Sequence, residues 1–116
     1  MKESEIQKQC LDYLKAHGFF VWRNHVQRVK ISGGSANNPA KGSPDIFAIK
    51  QGKFYGIEVK TPIGKVSQIQ RSWLQTAKDH GAVSMVVRSL DELIQFLDFA
   101  RDNPNSIQNF PFEILN

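Results

Sequence analysis

The chain has 116 residues, of which 41% are hydrophobic and 22% charged, and its formal net charge is +4. This length suits one domain with one core, and the composition excludes a disordered or fibrous chain. The single cysteine, Cys10, excludes an internal disulfide and a cysteine-rich zinc site. The sequence has neither an apolar signal region nor a stretch of roughly 18 apolar residues, so we expect a soluble, intracellular protein.

The basic excess favours a polyanionic partner only slightly, because many small proteins have one. The position of the charges is more informative. Acidic residues dominate residues 91–102, whereas basic side chains flank or lie within one glycine-rich segment: Arg23, His25, Arg28, Lys30 and Lys41. We therefore expect a positive field on one side of the molecule.

The first predicted element is a helix over about residues 4–17, followed by Gly18. Its apolar residues recur with helical spacing at Ile6, Cys10, Leu11 and Leu14. The aromatic and β-branched residues 19–22 then predict a short strand buried on both faces. Residues 31–44 contain three glycines, two prolines and two asparagines, and so predict a loop.

Residues 45–50 and 53–60 predict two strands joined by a tight Gln51-Gly52 turn. Ser67 with Gln70 matches a capping box that opens a helix ending at Gly81. A further strand is predicted over residues 82–88.

Ser89 and Glu92 repeat the capping pattern ahead of a final amphipathic helix that ends near Asn103-Pro104. The order α-β-β-β-α-β-α predicts an α/β domain with a mixed β-sheet flanked by helices. The helical crossover before the last strand favours parallel pairing there. The apolar tail, residues 104–116, either covers the core or binds a second subunit.

The predicted hairpin brings together side chains suited to a reaction. A two-residue turn places Asp45 opposite Glu58, with β-carbons about 4.5 to 5.5 Å apart, close enough for one divalent cation to bridge both carboxylates. Lys60 lies two residues after Glu58 and so shares its face, whereas Ile57 and Val59 face the opposite way. The alternative is that Asp45 is a turn residue and the other two belong to a solvated strand face.

Carboxylates holding a metal, next to a lysine, suit phosphodiester hydrolysis. The metal neutralises charge on the phosphate and lowers the pKa of a water molecule. Lys60 can orient that water or stabilise the negative charge that develops.

Two short segments also resemble a known family: Gly-Ser-Pro-Asp at 42–45 and Gly-Ile-Glu-Val-Lys at 56–60. Together they are similar to the PD-(D/E)XK nuclease superfamily, and most closely to its VRR-NUC branch. The resemblance covers residues 3–97 of a single domain. It includes Val21-Trp22-Arg23-Asn24 and the Ser67-Gln68 opening of the second helix.

The resemblance implies a restriction-endonuclease-like core that binds Mg²⁺ or Mn²⁺ through Asp45, Glu58 and the backbone carbonyl of Val59. Lys60 would be the catalytic lysine. Stand-alone members of this branch are small, often phage-encoded and dimeric, and resemble Holliday-junction resolvases. They imply a homodimer that cuts branched DNA in repair or recombination, in a bacterial or phage-infected cell, with no membrane partner.

Such nucleases often add an acidic residue from the first helix. Helical geometry places Glu3 on the apolar arc and Glu5 about 160° away from it, so we favour Glu3 as a further metal ligand. Gln7 either reaches the site or is an ordinary surface residue. Gln68, in the first turn after the Ser67 cap, is placed beside the catalytic lysine by the resemblance, and its alternative is also a plain helix surface.

A DNA-facing rim is expected from seven residues: Arg23, Asn24, His25, Arg28, Lys30, Lys41 and Ser43. Contacts between such residues and phosphates would steepen the salt dependence of binding rather than read sequence. The three histidines lack the spacing of a zinc site. Trp22 and Trp73 are expected in the core, and Cys10 as a small buried side chain.

The preferred hypothesis is a structure-specific endonuclease acting on four-way junctions. The alternatives are a nuclease for flaps, ends or duplex, and a catalytically silent DNA-binding module.

Overall fold

The computed structural model describes residues 1–24, 40–107 and 110–113. Along the chain these form α1 (Glu3–Ala16), β1 (Phe20–Arg23), β2 (Ile46–Lys50), β3 (Lys53–Val59), α2 (Gln68–Asp79), β4 (Val83–Val87) and α3 (Leu90–Asp102). Every predicted helix and strand is present, in the predicted order. Within the described ranges, no helix is long and apolar enough to cross a membrane.

The four strands form one mixed sheet in the order β1-β2-β3-β4. The two pairings in the first half of the sheet are antiparallel, and β3 pairs with β4 in parallel through the α2 crossover. Gln51 and Gly52 have φ of 51° and 77°, the left-handed pair that a tight hairpin turn requires. Lys50 therefore pairs with Lys53 and Ile46 with Ile57, which confirms the predicted register.

One face of the sheet packs against α1 and α3. Of the apolar residues predicted to face the core from α1, Ile6, Cys10 and Leu14 are buried and Leu11 is partly buried against them. The buried helix residues meet alternate residues of every strand. This main cluster includes Ile6, Cys10, Leu14, Val21, Ala48, Ile57, Val59, Met85, Leu93 and Phe96. Cys10 is buried, as predicted, and burial raises the pKa of its thiol to about 12.

The opposite face packs against α2 through a smaller cluster of Leu74, Val86 and Phe112, with Trp73 beside it. Gly56 allows the close packing here, because a β-carbon at that position would lie 3.3 Å from the Trp73 ring and 3.2 Å from Pro44. This contact holds the start of β2 and the helix α2 on the same side of β3.

Of the two predicted capping boxes, one is complete and the other is only half formed. Ser67 and Gln70 form the complete reciprocal capping box of α2. Ser89 accepts a hydrogen bond from the Glu92 N–H, but the Glu92 carboxylate accepts from the Arg88 N–H instead of returning to Ser89. The second box is therefore only half formed.

The described part of the tail covers the core of its own chain. Ile107 belongs to the main cluster and Phe112 to the smaller one. The Phe112 carbonyl accepts from the Val86 N–H at 2.6 Å, and Glu113 pairs with Arg88 and Arg71. Residues 108–109 and 114–116 lie outside the described ranges.

The prediction that β1 is buried on both faces is wrong. Val21 packs against the core, but Phe20 is 70% and Trp22 37% exposed. The reason is topological, since β1 is an edge strand and α2 packs over the other end of the sheet. The expectation that Trp22 lies in the core is therefore also wrong, whereas Trp73 does pack against the smaller cluster.

Candidate active site

Asp45 is fixed at the point where the chain enters β2. Its backbone carbonyl accepts a hydrogen bond from the Asn24 N–H at 2.8 Å. Its carboxylate oxygen Oδ2 accepts from the Val59 N–H, also at 2.8 Å. The paired ladder ends at Ile46 and Ile57, so the Asp45 side chain supplies the next acceptor along the hairpin. This bond holds the carboxylate against the end of β3.

The turn that delivers Asp45 is itself held by side chains. The Asn24 amide donates to the Ser43 hydroxyl at 2.8 Å and to the Pro44 carbonyl at 2.9 Å. The Ser43 hydroxyl donates in turn to the carbonyl of Ala40. Gly42 has φ of 81° and lies so close to α2 that a β-carbon would be 2.5 Å from the Ile69 carbonyl oxygen. Only glycine fits this position without displacing the turn.

Glu58 is a carboxylate buried on the α2 face of β3, with only 2% of its surface exposed. Its Oε1 accepts a 3.4 Å hydrogen bond from the Gln70 amide. Its Oε2 is buried and has no hydrogen-bond partner among the residues that the structure describes. Burial raises the pKa of Glu58 to about 9, followed by the charge of Asp45 and by the hydrogen bond that a protonated Glu58 donates to the Asp45 carboxylate.

Lys60 completes the arrangement from the end of the same strand. Its ammonium lies 4.0 Å from Glu58 Oε1, and its backbone N–H donates to the Val87 carbonyl at 3.0 Å. The Lys60 charge lowers the pKa of Glu58, but it does not offset burial and the charge of Asp45. Ile57 and Val59 face the main core, as predicted. The hairpin therefore brings Asp45, Glu58 and Lys60 together on one face.

The donor set at this point suits a hard cation. Two carboxylates face each other at low exposure, and one buried oxygen lacks a partner, which is costly unless a positive charge neutralises them. No group of three His, Cys, Asp or Glu side chains lies together over residues 1–24, 40–107 and 110–113. The side-chain donors at the site are thus Asp45 and Glu58.

The two further predicted site residues, Glu3 and Gln68, differ in their exposure. Glu3 is half-buried in the first turn of α1, and its charge adds to the rise in the pKa of Glu58, whereas Glu5 is exposed. Gln68 is exposed at the start of α2. The glutamine that contacts Glu58 is Gln70, which the sequence had identified only as half of the capping box.

Gln70 can complete the capping box and also contact Glu58, because a side-chain amide has both an acceptor and donors. Its Oε1 accepts from the Ser67 N–H at 3.0 Å, and its Nε2 donates to Glu58. The capping box thus attaches α2 to the buried carboxylate. The available signal was the box itself, which fixes the side-chain direction of Gln70 but not of Gln68.

The predicted DNA-facing rim is described only in part. Arg23 and Lys41 are exposed beside the Asp45 turn, whereas Asn24 and Ser43 are engaged within that turn. His25, Arg28 and Lys30 lie outside the described residues.

Comparisons with known proteins agree with the fold. A family model described as the VRR-NUC domain matches residues 35–91, a range that contains Asp45, Glu58, Lys60 and Gln70. A solved VRR_NUC domain is similar with a TM-score of 0.62 and 22% identity, over 83% of this chain and 94% of that chain.

A second similar structure is Archaeoglobus fulgidus Hjc, described as a Holliday junction resolvase from an archaeal hyperthermophile. Its TM-score is 0.50 at 25% identity, over 72% of this chain and 64% of that chain. No curated protein matches the sequence. The structural matches confirm the predicted fold class of a mixed sheet flanked by helices.

Proposed function

We propose that the chain is a metal-dependent, structure-specific DNA endonuclease, because residues 35–91 match the VRR-NUC domain model and because of the geometry of the site. The observation that carries the proposal is the buried Glu58 Oε2, which lacks a hydrogen-bond partner in the described structure and lies beside a second carboxylate. Such a pair of carboxylates is unfavourable in a protein interior unless a bound cation or a proton neutralises part of its charge. The two carboxylates therefore destabilise the metal-free protein, and a role in binding a metal explains why both are present.

Asp45 and Glu58 would hold Mg²⁺ or Mn²⁺ together with the backbone carbonyl of Val59. When bound, the metal supplies charge neutralisation at the scissile phosphate and a water of lowered pKa. The hydrogen bond from the Val59 N–H to Asp45 fixes the orientation of the carboxylate relative to this strand end. Glu3 is retained in the proposal as a further acidic group, acting through its charge.

Lys60 is proposed as the residue that acts on the reacting atoms. Its ammonium, next to Glu58, is placed to orient the attacking water or to stabilise charge on the phosphate oxygens. Gln70 holds Oε1 of Glu58 by its amide, which leaves Oε2 as the free oxygen of that carboxylate. Lys60 thus acts on the reacting atoms, whereas Gln70 positions the Glu58 carboxylate.

Four-way DNA junctions are the proposed substrate. The support is the likeness to Hjc, which is described as a Holliday junction resolvase. A homodimer would suit such a substrate, because two sites related by a two-fold axis match two symmetric strands. Flaps, DNA ends and plain duplex are the alternative substrates. A silent DNA-binding module is disfavoured because Asp45, Glu58 and Lys60 are all present and lie together.

The test is cleavage of labelled junction, flap and linear duplex by the purified protein, with Mg²⁺, with Mn²⁺ and with a chelator. Cutting should require the metal and should be lost in Asp45→Asn and Lys60→Ala. The exposed Glu5 offers a matched control, and Glu5→Gln should cut normally. Activity that survives in both site variants would overturn the assignment, and tight binding without any cutting would identify a silent module.

The oligomeric state is tested separately by measuring the molecular mass at micromolar concentration, alone and with junction DNA. A dimer in the complex is expected. A monomer under both conditions would contradict symmetric junction cutting without affecting the nuclease assignment.

A further inference from the structure

The loop that follows Lys60 exposes an isoleucine at its tip. Ile63 is 92% exposed, more than any other large apolar side chain in the described ranges. A single exposed apolar residue is common on protein surfaces and by itself means little. What distinguishes Ile63 is the way in which its loop is built.

Residues 61–64 form a turn that is fixed on several sides. The Gly64 N–H donates to the Thr61 carbonyl at 3.1 Å, and Pro62 restricts the backbone at the first central position. The Arg88 guanidinium donates to the carbonyls of both Thr61 and Gly64. Arg88 is held in turn by Glu113 at 2.9 Å. The turn is therefore ordered before any ligand arrives, and Ile63 is presented outward.

The turn also lies against the reactive lysine. A β-carbon on Gly64 would be only 3.5 Å from the Lys60 β-carbon, so the loop folds back onto that residue. Along the chain, Lys60, whose side chain is 13% exposed, precedes the turn and the exposed Lys65 follows it. An apolar Ile63 tip with a lysine before and after it suits a partner whose outer surface is anionic and whose interior is apolar. Stacked DNA bases between phosphate backbones have this character, whereas an apolar protein groove does not need the cations.

We propose that Ile63 is a wedge that enters the base stack beside the scissile phosphate. Proteins that deform DNA commonly insert isoleucine, leucine or proline between neighbouring bases. Unstacking one base step would bend the strand toward Asp45, Glu58 and Lys60. This proposal rests on the proposed nuclease function and adds that the enzyme opens the step that it cuts, so DNA that is already unpaired there needs no wedge.

The first test compares two junction substrates that differ only at the cleavage step, which is paired in one and mismatched in the other. Ile63→Ser should lower kcat/KM by roughly 10- to 100-fold on the paired substrate and by less than about threefold on the mismatched one. Ile63→Leu should retain both activities. Ile69→Ser, at another exposed isoleucine on α2, serves as the control and should not discriminate between the substrates. Equal loss on both substrates, or no loss on either, would overturn the wedge.

The second test does not require cleavage. A 2-aminopurine at the predicted step should brighten when the Lys60→Ala protein binds, because the base becomes unstacked, and should stay dark when Ile63→Ser is added to that variant. Equal brightening in both would overturn the wedge even if no substrate is ever cut. If binding brightens the probe but the unsubstituted protein cuts no substrate, the proposed function has failed and the wedge has not. A change in molecular mass on Ile63→Ser, without any change in the probe, would assign the tip to a protein contact and overturn the proposal.

Discussion

Replacing Glu58 by glutamine should stabilise the metal-free protein while abolishing cleavage. Burial and the neighbouring Asp45 raise the pKa of the Glu58 carboxyl from 4.5 to about 9. At pH 7 the folded protein retains a proton that the unfolded chain releases, which costs about 3 kcal/mol at about 1.4 kcal/mol per pH unit. Glutamine has the same shape and no charge, and its carbonyl can still accept from Gln70.

The pH dependence of this effect has a definite sign. Because the pKa is higher in the folded state, the contribution of Glu58 to stability is complete below 4.5 and is lost as the pH rises toward 9. The metal-free protein should therefore become less stable across this window. Glu58→Gln should remove that loss, so the two proteins should match near the acid end and diverge by about 3 kcal/mol at pH 7.

The assay is urea unfolding in the presence of a chelator at acidic, neutral and alkaline pH, with the exposed Glu5→Gln as the matched control. Added Mg²⁺ should then stabilise the unsubstituted protein and not the Glu58→Gln variant. The reasoning fails if the variant is no more stable than the unsubstituted protein at pH 7, or if both have the same pH slope.

Two further substitutions test how the site is positioned. Gly42→Ala should lower the free energy of unfolding by about 2–4 kcal/mol, because left-handed strain adds to the clash with the Ile69 carbonyl. Gly52 has a similar φ but nothing within 4 Å of an added β-carbon, so Gly52→Ala should lower the free energy of unfolding by only about 1–2 kcal/mol and leave cleavage intact. If urea unfolding shows equal losses for the two variants, the clash at Gly42 is refuted. Gln70→Ala should cost about 1 kcal/mol through the lost cap and should also lower kcat, whereas Gln68→Ala should do neither. A kcat that falls only in Gln68→Ala would favour Gln68, the glutamine that the family resemblance places beside Lys60.

The hairpin at the centre of the site could be predicted because its geometry is local. A two-residue turn fixes the register of both strands, and the register fixes which side chains share a face. The observed pairs Lys50 with Lys53 and Ile46 with Ile57 follow directly from this rule. No information from distant parts of the chain was needed to bring Asp45 next to Glu58.

The wrong prediction for β1, and two questions that the sequence left open, depend on distant parts of the chain. The aromatic content of β1 predicts a strand but not whether it lies at the sheet edge, so the exposure of Phe20 and Trp22 was missed. Gln68 and Gln70 differ by about 200° around the α2 axis, and which of them faces Glu58 depends on how the helix packs. Likewise, the apolar character of the tail could not distinguish its own core from a partner's surface.

The Gln51-Gly52 turn is exposed at the end of the hairpin farthest from the carboxylates. Surface turns of this kind usually tolerate inserted residues. Here one added or deleted residue would slip the register and turn the side chains of one strand to the other face, separating Asp45 from Glu58. In a library of random single-residue insertions selected for activity, this turn should be depleted as strongly as the buried strands. Its length, unlike its amino-acid identity, is then under selection from chemistry at the opposite end of the hairpin.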